Sequence, residues 1–484
     1  MNRALEKPAT ATSAATATGR FSWVAWSCVL FLLYNAGGPH ADVHANNEVF
    51  RTLTFTPTTA NIVRILRAPF TDDGDILRYF AYANAALGRR YQKFYIRSSA
   101  EWLAEFQASP KEIDTDAAGF VDPLAPLVPY QDYVVEYPPG LFLIAVPLAL
   151  LTHDQDVFRV LFGSAMALLL TLALVLCLRI ARLLPMRRDE TLVRWSAMAV
   201  IALGAVCTHR FDAVVSFLLC LTLWAMFTNK PKVAGAALGV AIAAKLVPVI
   251  VAPVLVIALV QERRWRDLGL AVYAAFFALA AVLLPAALFA GSHFFDFLGY
   301  HANRPLQIES TPAALLSLWR VIDPSSLSVS RSYGSTNVVG GYSDFFLKLA
   351  APLTVLGLLA VYAITWLRLA RARTSADRNA IVTAGALGAL VAFMVCGKVF
   401  SPQYVVWLVP LGVLLSNAQG REGRWFFLML MLMTQTIYPA AYMDAERLVP
   451  WVSALIVLRN GMLAMWAVRL LWKSPTMEPA TAHA

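Results

Sequence analysis

The chain has 484 residues, of which 59% are hydrophobic and only 14% are charged. Soluble proteins have about 45–50% apolar and about 25% charged residues, so the composition excludes that class and indicates a polytopic membrane protein. The net charge of +10 comes mostly from Lys and Arg residues in short segments beside apolar runs, as the positive-inside rule expects, and it implies no nucleic-acid partner.

The N-terminal part is predicted to hold one membrane helix and the longest polar segment of the chain. Residues 1–20 are rich in Ala and Thr without an apolar period, which predicts a disordered cytoplasmic tail. Residues 21–36 form the first apolar run and predict a transmembrane helix. Residues 37–136 mix amphipathic and aromatic stretches, which is typical of an external loop with short helices lying along the membrane interface.

Membrane helices are predicted over residues 137–290, and two of these segments do not fit a simple crossing. Residues 137–152 are short for a span, and a full crossing would place the arginines that follow on the outside. We therefore predict a partial or re-entrant segment there. Residues 233–260 are too long for one straight span and contain Lys245 and Pro248, which predicts two shortened arms, with a single long tilted helix as the alternative.

The second half of the chain repeats this alternation of polar and apolar segments. Residues 291–343 predict a second external loop, in which the Ser- and Gly-rich residues 323–342 are expected to be mobile. Residues 344–473 predict the C-terminal membrane helices, and residues 474–484 a cytoplasmic tail. The fold class is thus an all-α polytopic membrane protein with about 11 to 13 transmembrane helices.

The first external loop carries a cluster of three carboxylates, those of Asp72, Asp73 and Asp75. A carboxylate beside the hydrocarbon can act as a general base toward a hydroxyl group, because burial and neighbouring like charges hold its pKa near the working pH. Asp75 is our candidate for this role. The alternative, which is commoner for any single Asp, is that these side chains cap the helix predicted to start near Ile76.

Charged side chains at membrane depth are functional candidates, because burying them costs several kcal/mol unless they face a cavity or a partner. In the predicted topology they gather on the external half together with the acidic cluster: Glu136, Asp212, Lys245, His301, Arg304, Glu309 and Lys398. The cytoplasmic half offers only basic segments. Carboxylates and cations in one site suit a substrate that carries a phosphate and a hydroxyl to be activated.

Several of these features have simpler interpretations. His209-Arg210 could anchor lipid headgroups, and residues 304–309 could form only a local salt bridge. Arg459-Asn460 in the last span is interpreted as a structural polar pair, and Tyr137-Pro138-Pro139 as the start of a helix. The sequence contains no phosphate-binding GxxxxGK[ST] loop, GxSxG elbow or HExxH zinc motif, so it does not support the use of ATP or a nucleotide sugar.

An ordered series of short motifs nevertheless resembles a known family. The motifs are Asp75-x3-Tyr79 with Gly88-x2-Tyr91, Glu136-Tyr137-Pro138-Pro139, Arg210-x-Asp212, the run from Ala234 to Pro248 that contains Lys245, Arg304-x2-Gln307-x-Glu309-Ser310, and Lys398-x2-Ser401-Pro402-Gln403-Tyr404. Each is weak alone. In this order, over nearly the whole chain, they resemble family 87 of the glycosyltransferases, relatives of bacterial polyprenol-phosphate-mannose α-mannosyltransferases.

The resemblance implies a C-type glycosyltransferase fold with a catalytic first external loop. It implies that a hexose, with mannose favoured over arabinose, glucose or galactose, moves from a polyprenyl-phosphate-linked donor to a lipid or glycan acceptor. By this likeness Asp75 abstracts the acceptor proton in an inverting displacement. Because the polyprenyl phosphate leaves as an anion, cations are expected to bind it, namely Lys245, His301, Arg304, Arg210 and Lys398. The other motif residues are expected to bind substrate: Asp72, Asp73, Tyr79, Glu136, Tyr137, Asp212, Gln307, Glu309, Gln403 and Tyr404.

The resemblance also implies a cellular setting and partners. The expected location is a bacterial inner membrane with the active site on the periplasmic side, in contact with membrane lipids. No cofactor or metal is expected, since the cations can replace a divalent ion, although the three neighbouring Asp residues leave a divalent metal open. The competing class is a transporter or flippase of a lipid-linked sugar, against which the candidates lie on one face and no inverted repeat is visible.

Overall fold

A computed structural model describes residues 75–89, 91–92, 120–121, 127–185, 191–323 and 327–473. The predicted first membrane helix, the two predicted tails, and Asp72 and Asp73 lie outside the described residues. Most of the predicted first external loop lies outside them as well.

The described chain is built almost entirely of helices. In the first half these are α1 (Ile76–Ala86), α2 (Phe142–Leu151), α3 (Gln155–Ala181), α4 (Thr191–Leu203), α5 (Asp212–Phe227), α6 (Pro231–Ala244), α7 (Ala252–Gln261) and α8 (Trp265–Ala290). A short antiparallel pair joins β1 (Tyr91–Gln92) to β2 (Phe120–Val121). Single 3₁₀ turns occupy Pro139–Leu141, Gly204–Cys207 and Val247–Val251.

The second half continues in the same way. Its helices are α9 (Asp296–Asn303), α10 (Thr311–Trp319), α11 (Ser343–Leu369), α12 (Ser375–Cys396), α13 (Val409–Ala418), α14 (Gly420–Gln435), α15 (Tyr442–Glu446) and α16 (Pro450–Trp472). The 3₁₀ turns are Gly291–Phe295 and Pro402–Leu408, and a π turn covers Thr436–Ala440.

Five described helices are long and apolar enough to cross a membrane: Gln155–Ala181, Trp265–Asn303 (α8 and α9 taken together), Ser343–Leu369, Ser375–Cys396 and Pro450–Trp472. Shorter apolar helices pack among them, and the largest hydrophobic core joins residues from most of the chain. The all-α polytopic membrane fold predicted from the sequence is confirmed.

The two irregular membrane segments have different outcomes. Helix α2 has 10 residues, about 15 Å of helix against a hydrocarbon core of about 30 Å, so it is too short to cross alone. The partial crossing of residues 137–152 stays a prediction that this length favours. In the second segment α6 ends at Ala244, and Lys245 is extended with φ −156° and ψ 130°. The chain forms two arms there, and the alternative of one long helix is wrong.

Helix α6 is held against its neighbour by glycines. A side chain at Gly235 would overlap the backbone of Ala271 on α8, and one at Gly239 would overlap that of Ala275. The missing side chains let the two helix backbones approach closely, as small residues do at helix contacts in membranes. Helix α6 also packs against α5, so the end of α6 at Lys245 has a defined position beside the start of α5.

The second external loop contains a small sheet that the sequence did not suggest. Strands β3 (Leu306–Gln307), β4 (Ser328–Ser332) and β5 (Ser335–Val339) form an antiparallel sheet in the order β3-β5-β4. The turn between β4 and β5 places Tyr333 and Gly334 at φ 53° and 60°, as a two-residue hairpin turn requires. The expectation of mobility is therefore wrong for residues 327–342, because the ladder hydrogen bonds order them.

Candidate functional site

Asp75 lies at the start of helix α1 but does not cap it. The residue occupies the N-cap position, yet its side chain makes no capping hydrogen bond. Instead Oδ2 accepts a hydrogen bond from the Tyr137 hydroxyl at 3.0 Å and lies 2.8 Å from Arg210 Nη1. Arg78, one helical turn further along, lies 3.6 Å from Oδ1. The carboxylate thus points into the protein, and the capping alternative does not describe it.

These contacts change the acid strength of Asp75. Burial alone would raise its pKa, but the Arg210 and Arg78 guanidinium groups and the hydrogen bond from Tyr137 outweigh burial. They hold the pKa of the carboxyl well below its ordinary value. The expectation of a pKa near the working pH is wrong, because cations surround this carboxylate where like charges were expected. Asp75 is ionised in this structure and is a weak proton acceptor as it stands.

Tyr137 reaches Asp75 because of the Pro-Pro-Gly sequence that follows it. Pro138 is extended and Pro139 begins a 3₁₀ turn, so the helix starts there as predicted. Gly140 lies directly on the backbone of Ala244, where a side chain would not fit. This close approach brings Tyr137 next to the residue that follows Ala244, Lys245. The Tyr137 hydroxyl also accepts a hydrogen bond from the Tyr79 hydroxyl at 3.2 Å.

Lys245 lies at the break between α6 and α7 with its ammonium group surrounded by rings. Nζ is 5.8 Å from the Tyr137 ring centroid, 5.3 Å from that of Tyr404 and 5.2 Å from that of Trp407. It is also 2.7 Å from Oδ1 of Asp212, which is fully buried and accepts a second hydrogen bond, from Trp407 Nε1, at 2.6 Å. Asp212 therefore neutralises and orients Lys245.

Glu136 joins the first external loop to the second. Its carboxylate forms an ion pair with Arg78 and accepts a hydrogen bond from the Tyr300 hydroxyl at 2.6 Å. Its backbone carbonyl lies 2.9 Å from Nε2 of His301. Gly334, in the β4–β5 turn, packs against the side chains of Glu136, Arg78 and Tyr300, which an added side chain at this position would touch. His301 is thus fixed close to Tyr137.

Two further cations lie beside this group. Arg304 Nε donates to Ser335 Oγ at 3.3 Å, and the guanidinium interacts electrostatically with Glu136, Tyr300 and Tyr404. Lys398 Nζ donates to the carbonyl of Ala302 at 2.6 Å. Burial and the nearby Arg304 guanidinium lower the pKa of Lys398.

The structure therefore brings most of the predicted site residues into one cluster. Five residues of this cluster contact Tyr137 or Glu136 directly: Asp75, Tyr79, Lys245, Tyr300 and His301. Arg210, Asp212, Arg304 and Tyr404 lie one contact further out. Gln403 is buried in the adjoining 3₁₀ turn. We call this group the Asp75 cluster.

Glu309 and Gln307 contact parts of the chain outside the Asp75 cluster, and their predicted substrate-binding roles stay predictions. Glu309 is fully buried, and Oε2 lies 2.9 Å from Nη1 of Arg459, which is fully buried too. Arg459 also donates to Asn460, so the predicted polar pair exists, but its main partner is 150 residues away. The alternative of a local salt bridge within residues 304–309 is wrong, because Glu309 pairs with Arg459. Gln307 Oε1 accepts from the backbone of Glu309 and of Phe400, which ties β3 to the turn after α12.

Sequence reasoning missed three contributors to the cluster. Arg78 follows Asp75 by three positions on a helix, a spacing that places two side chains on one face and was sufficient to suggest the pair. Tyr300 precedes His301, and nothing in the sequence marks it. Nothing in the sequence marks Tyr438 either, yet its hydroxyl accepts a hydrogen bond from Arg210 Nη2 at 2.7 Å. His209 is fully buried, and Arg210 is mostly buried and paired with Asp75, so their interpretation as a lipid-headgroup anchor is wrong.

Among the described residues, no group of three His, Cys, Asp or Glu side chains is placed to hold a metal ion. Asp72 and Asp73 lie outside those residues. Transfer without a metal accordingly stays a prediction.

The cluster and its membrane setting can be compared with known proteins. The family model of glycosyltransferase family 87 matches residues 135–402, just over half of the 484 residues. The chain belongs to glycosyltransferase family 87. No curated protein matches the sequence.

Membership in this family makes the chain a membrane glycosyltransferase, which takes a sugar from a donor and gives it to an acceptor. The matched segment starts one residue before Glu136 and includes Arg210, Lys245, His301, Arg304 and Lys398. Asp75 precedes the segment, and Gln403 and Tyr404 follow it. The place of Asp75 in the glycosyltransferase therefore depends on its contacts with matched residues, above all Tyr137 and Arg210.

Proposed function

We propose that this glycosyltransferase moves a hexose, with mannose as the first sugar to test, from a polyprenyl-phosphate-linked donor to a lipid or glycan acceptor. Asp75 is the general base that takes the proton from the acceptor hydroxyl, and the sugar is transferred with inversion. The observation that carries this proposal is the meeting of one mostly buried carboxylate, that of Asp75, with Arg210 and the neighbouring cations of the cluster.

The cations suit a phosphate leaving group. When the bond between the sugar and the phosphate breaks, negative charge develops on the phosphate oxygens, and fixed positive groups stabilise that charge most in a site with little water. Arg210, Lys245, Arg304 and Lys398 are assigned this role, and His301 is assigned a hydrogen bond to the phosphate. Arg210 and Arg304 can each offer two N–H groups to a phosphate, whereas Lys245 acts as a single charge held in place by Asp212.

Binding of the donor would also activate the base. Arg210 contacts Asp75 in the structure, so a phosphate that takes Arg210 as its partner weakens that ion pair. With this cation withdrawn, only Arg78 and Tyr137 oppose the effect of burial, so the pKa of Asp75 rises toward the range in which a carboxylate accepts a proton efficiently. The acceptor would then be deprotonated only when the donor is present, which limits loss of the sugar to water.

The acceptor hydroxyl is assigned to the space beside Tyr79 and Tyr137. The Tyr137 hydroxyl donates a hydrogen bond to Asp75 and accepts one from the Tyr79 hydroxyl. An arriving acceptor hydroxyl can replace one of these hydrogen bonds. The proposed setting is a bacterial inner membrane with the Asp75 cluster at the periplasmic face. The excess of Lys and Arg beside the other ends of the helices supports this orientation.

Transfer can be tested directly with the purified full chain, radiolabelled polyprenyl-phosphate-mannose and a lipid extract as acceptor. Asp75→Asn keeps the shape of the side chain but removes the base, so we expect the rate to fall by about 10²- to 10⁴-fold. Asp344→Asn, which changes an exposed acid at the start of α11, is the matched control and should keep the rate.

Three outcomes would contradict the proposal. Full activity in Asp75→Asn would remove Asp75 from the role of base. No product with mannose, but product with another polyprenyl-phosphate hexose, would correct the sugar alone. Movement of the sugar-lipid between leaflets without a new glycosidic bond would favour a flippase.

A further inference from the structure

The basic residues at the other end of the helices converge on a pocket. It has a volume of about 460 Å³, and its walls come from the ends of α3, α5 and α7 and the starts of α8 and α12. Arg182, Arg264 and Arg378 line it together with Glu262. Basic residues on this side are expected from topology alone, but their arrangement around one pocket is not.

The pocket is well separated from the Asp75 cluster. Helix α5 starts at Asp212 in the cluster and ends at Phe227 in the pocket wall, and its 16 residues span about 24 Å. Helix α12 starts at Ser375 in the pocket wall and ends two residues before Lys398, and its 22 residues span about 33 Å. Both lengths are close to the thickness of the hydrocarbon core, so the two sites lie at opposite membrane faces.

Among the described residues, the charges that line the pocket do not cancel. Three guanidinium groups line it against one carboxylate, that of Glu262, which lies 3.1 Å from Arg264 and 3.8 Å from Arg378. Asp267, outside the lining, takes a second contact with Arg264 at 2.8 Å. Within the described residues, no ion pair or side-chain hydrogen bond is made by Arg182. The remaining positive charge is therefore carried mainly by Arg182 and Arg378.

The walls around these arginines add two further features. The first turn of α12 contributes Ser375 and Ala376, next to a capping box in which Thr374 and Asp377 close the start of the helix. Apolar side chains form the rest, including Leu183, Met226 and Phe227. A phosphate group can pair with the arginines while the glycerol and the first carbons of an acyl chain contact the apolar wall.

We propose that this pocket binds a phosphate-bearing anion at the membrane face opposite the Asp75 cluster. The recognised chemistry is a phosphate ester held by Arg182 and Arg378. It can come from the headgroup of an anionic phospholipid or from a soluble phosphate compound. The site is separate from donor and acceptor binding, so it does not rest on the proposed transfer reaction.

Binding can be measured by titrating the purified full chain, in a neutral detergent, with dioctanoylphosphatidylglycerol and separately with inorganic phosphate. The test variant is Arg182→Gln with Arg378→Gln. The matched control is Arg266→Gln with Arg373→Gln, which removes two exposed arginines from the same side that do not line the pocket. We expect the test variant to bind the lipid at least about tenfold more weakly, and the control to bind it unchanged.

A third variant separates loss of binding from loss of folding. Glu262→Gln removes the carboxylate that competes for Arg264 and Arg378, so it should bind the lipid more tightly, a gain that a folding defect cannot produce. Binding of the lipid without competition from inorganic phosphate identifies a headgroup site, and competition identifies a site for the phosphate group itself. Equal affinities in the test and control variants, or weaker binding by Glu262→Gln, would overturn the proposal.

Discussion

The hydroxyl of Tyr137 donates a hydrogen bond of 3.0 Å to Oδ2 of Asp75, although 62 residues separate the two. This bond joins a carboxylate that precedes the family-matched segment to the motif at its start. The same tyrosine presents its ring to Lys245, so one side chain contacts both the acidic and the cationic part of the cluster.

Removal of the Tyr137 hydroxyl should slow transfer without abolishing it. Tyr137→Phe keeps the ring beside Lys245 but deletes a hydrogen bond to a charged group, worth about 1.5–3 kcal/mol. If that bond positions Asp75 in the transition state, kcat/KM falls by about 10- to 100-fold. Steady-state kinetics with Tyr342→Phe, at an exposed tyrosine, provide the comparison. An unchanged kcat/KM in Tyr137→Phe would show that the bond is not needed for positioning.

The pH dependence of transfer should reveal the ion pair between Asp75 and Arg210. Because nearby cations lower the pKa of Asp75, the wild-type carboxylate stays ionised from about pH 5 to about pH 8, and kcat/KM should show no acidic limb from this group there. In Arg210→Gln the effect of burial remains while one cation is lost, so the pKa rises. Activity should then begin to fall at a higher pH than in the wild type, in profiles extended to the lowest pH at which both proteins stay folded.

The control for this profile is Arg266→Gln, which removes an exposed arginine far from Asp75. Its pH profile should match that of the wild type. An Arg210→Gln enzyme with a lower rate but no displaced limb would mean that Arg210 does not set the pKa of Asp75.

The pair formed by Glu309 and Arg459 should behave as a structural element. Both side chains are fully buried, and removal of one partner leaves the other charge unpaired, at a cost of about 3–5 kcal/mol. We expect Arg459→Met to lower the thermal midpoint of the detergent-purified protein strongly, and Arg459→Met with Glu309→Gln to recover part of the loss. If Glu309→Gln instead weakens donor binding at an unchanged midpoint, the predicted substrate-binding role of Glu309 is right.

Replacement by alanine should change the stability of the protein in opposite directions at two glycines on facing helices. At Gly235 an added methyl group meets the backbone of Ala271, which cannot move without shifting α8, so Gly235→Ala should destabilise the protein by about 1–3 kcal/mol. At Gly269 nothing lies within 4 Å, and Gly269→Ala should stabilise helix α8 by up to about 1 kcal/mol. Thermal midpoints of the two variants test the pair. Equal shifts would mean that the α6–α8 contact is looser than the structure indicates.

Some features of this protein follow from the sequence alone. Apolar runs and their lengths determine that it is a helical membrane protein, and the charge and proline inside residues 233–260 determine the break at Lys245. The order of short motifs was sufficient to indicate the glycosyltransferase family, which the family match confirmed. These are local properties, since burial of apolar side chains and the backbone limits of proline act over a few neighbouring residues.

Other features were decided only by the tertiary structure. The sequence places Asp75 among carboxylates, but folding surrounds it with Arg78, Arg210 and Tyr137 and so reverses the direction of its pKa shift. The substrate-binding role of Glu309 stays a prediction, and folding gives its buried carboxylate a partner, Arg459, that is 150 residues away in the chain. Charge interactions depend on distance in space, and helix packing brings together residues that lie far apart in the chain. The partners of a buried charge therefore could not be read from its neighbours in sequence.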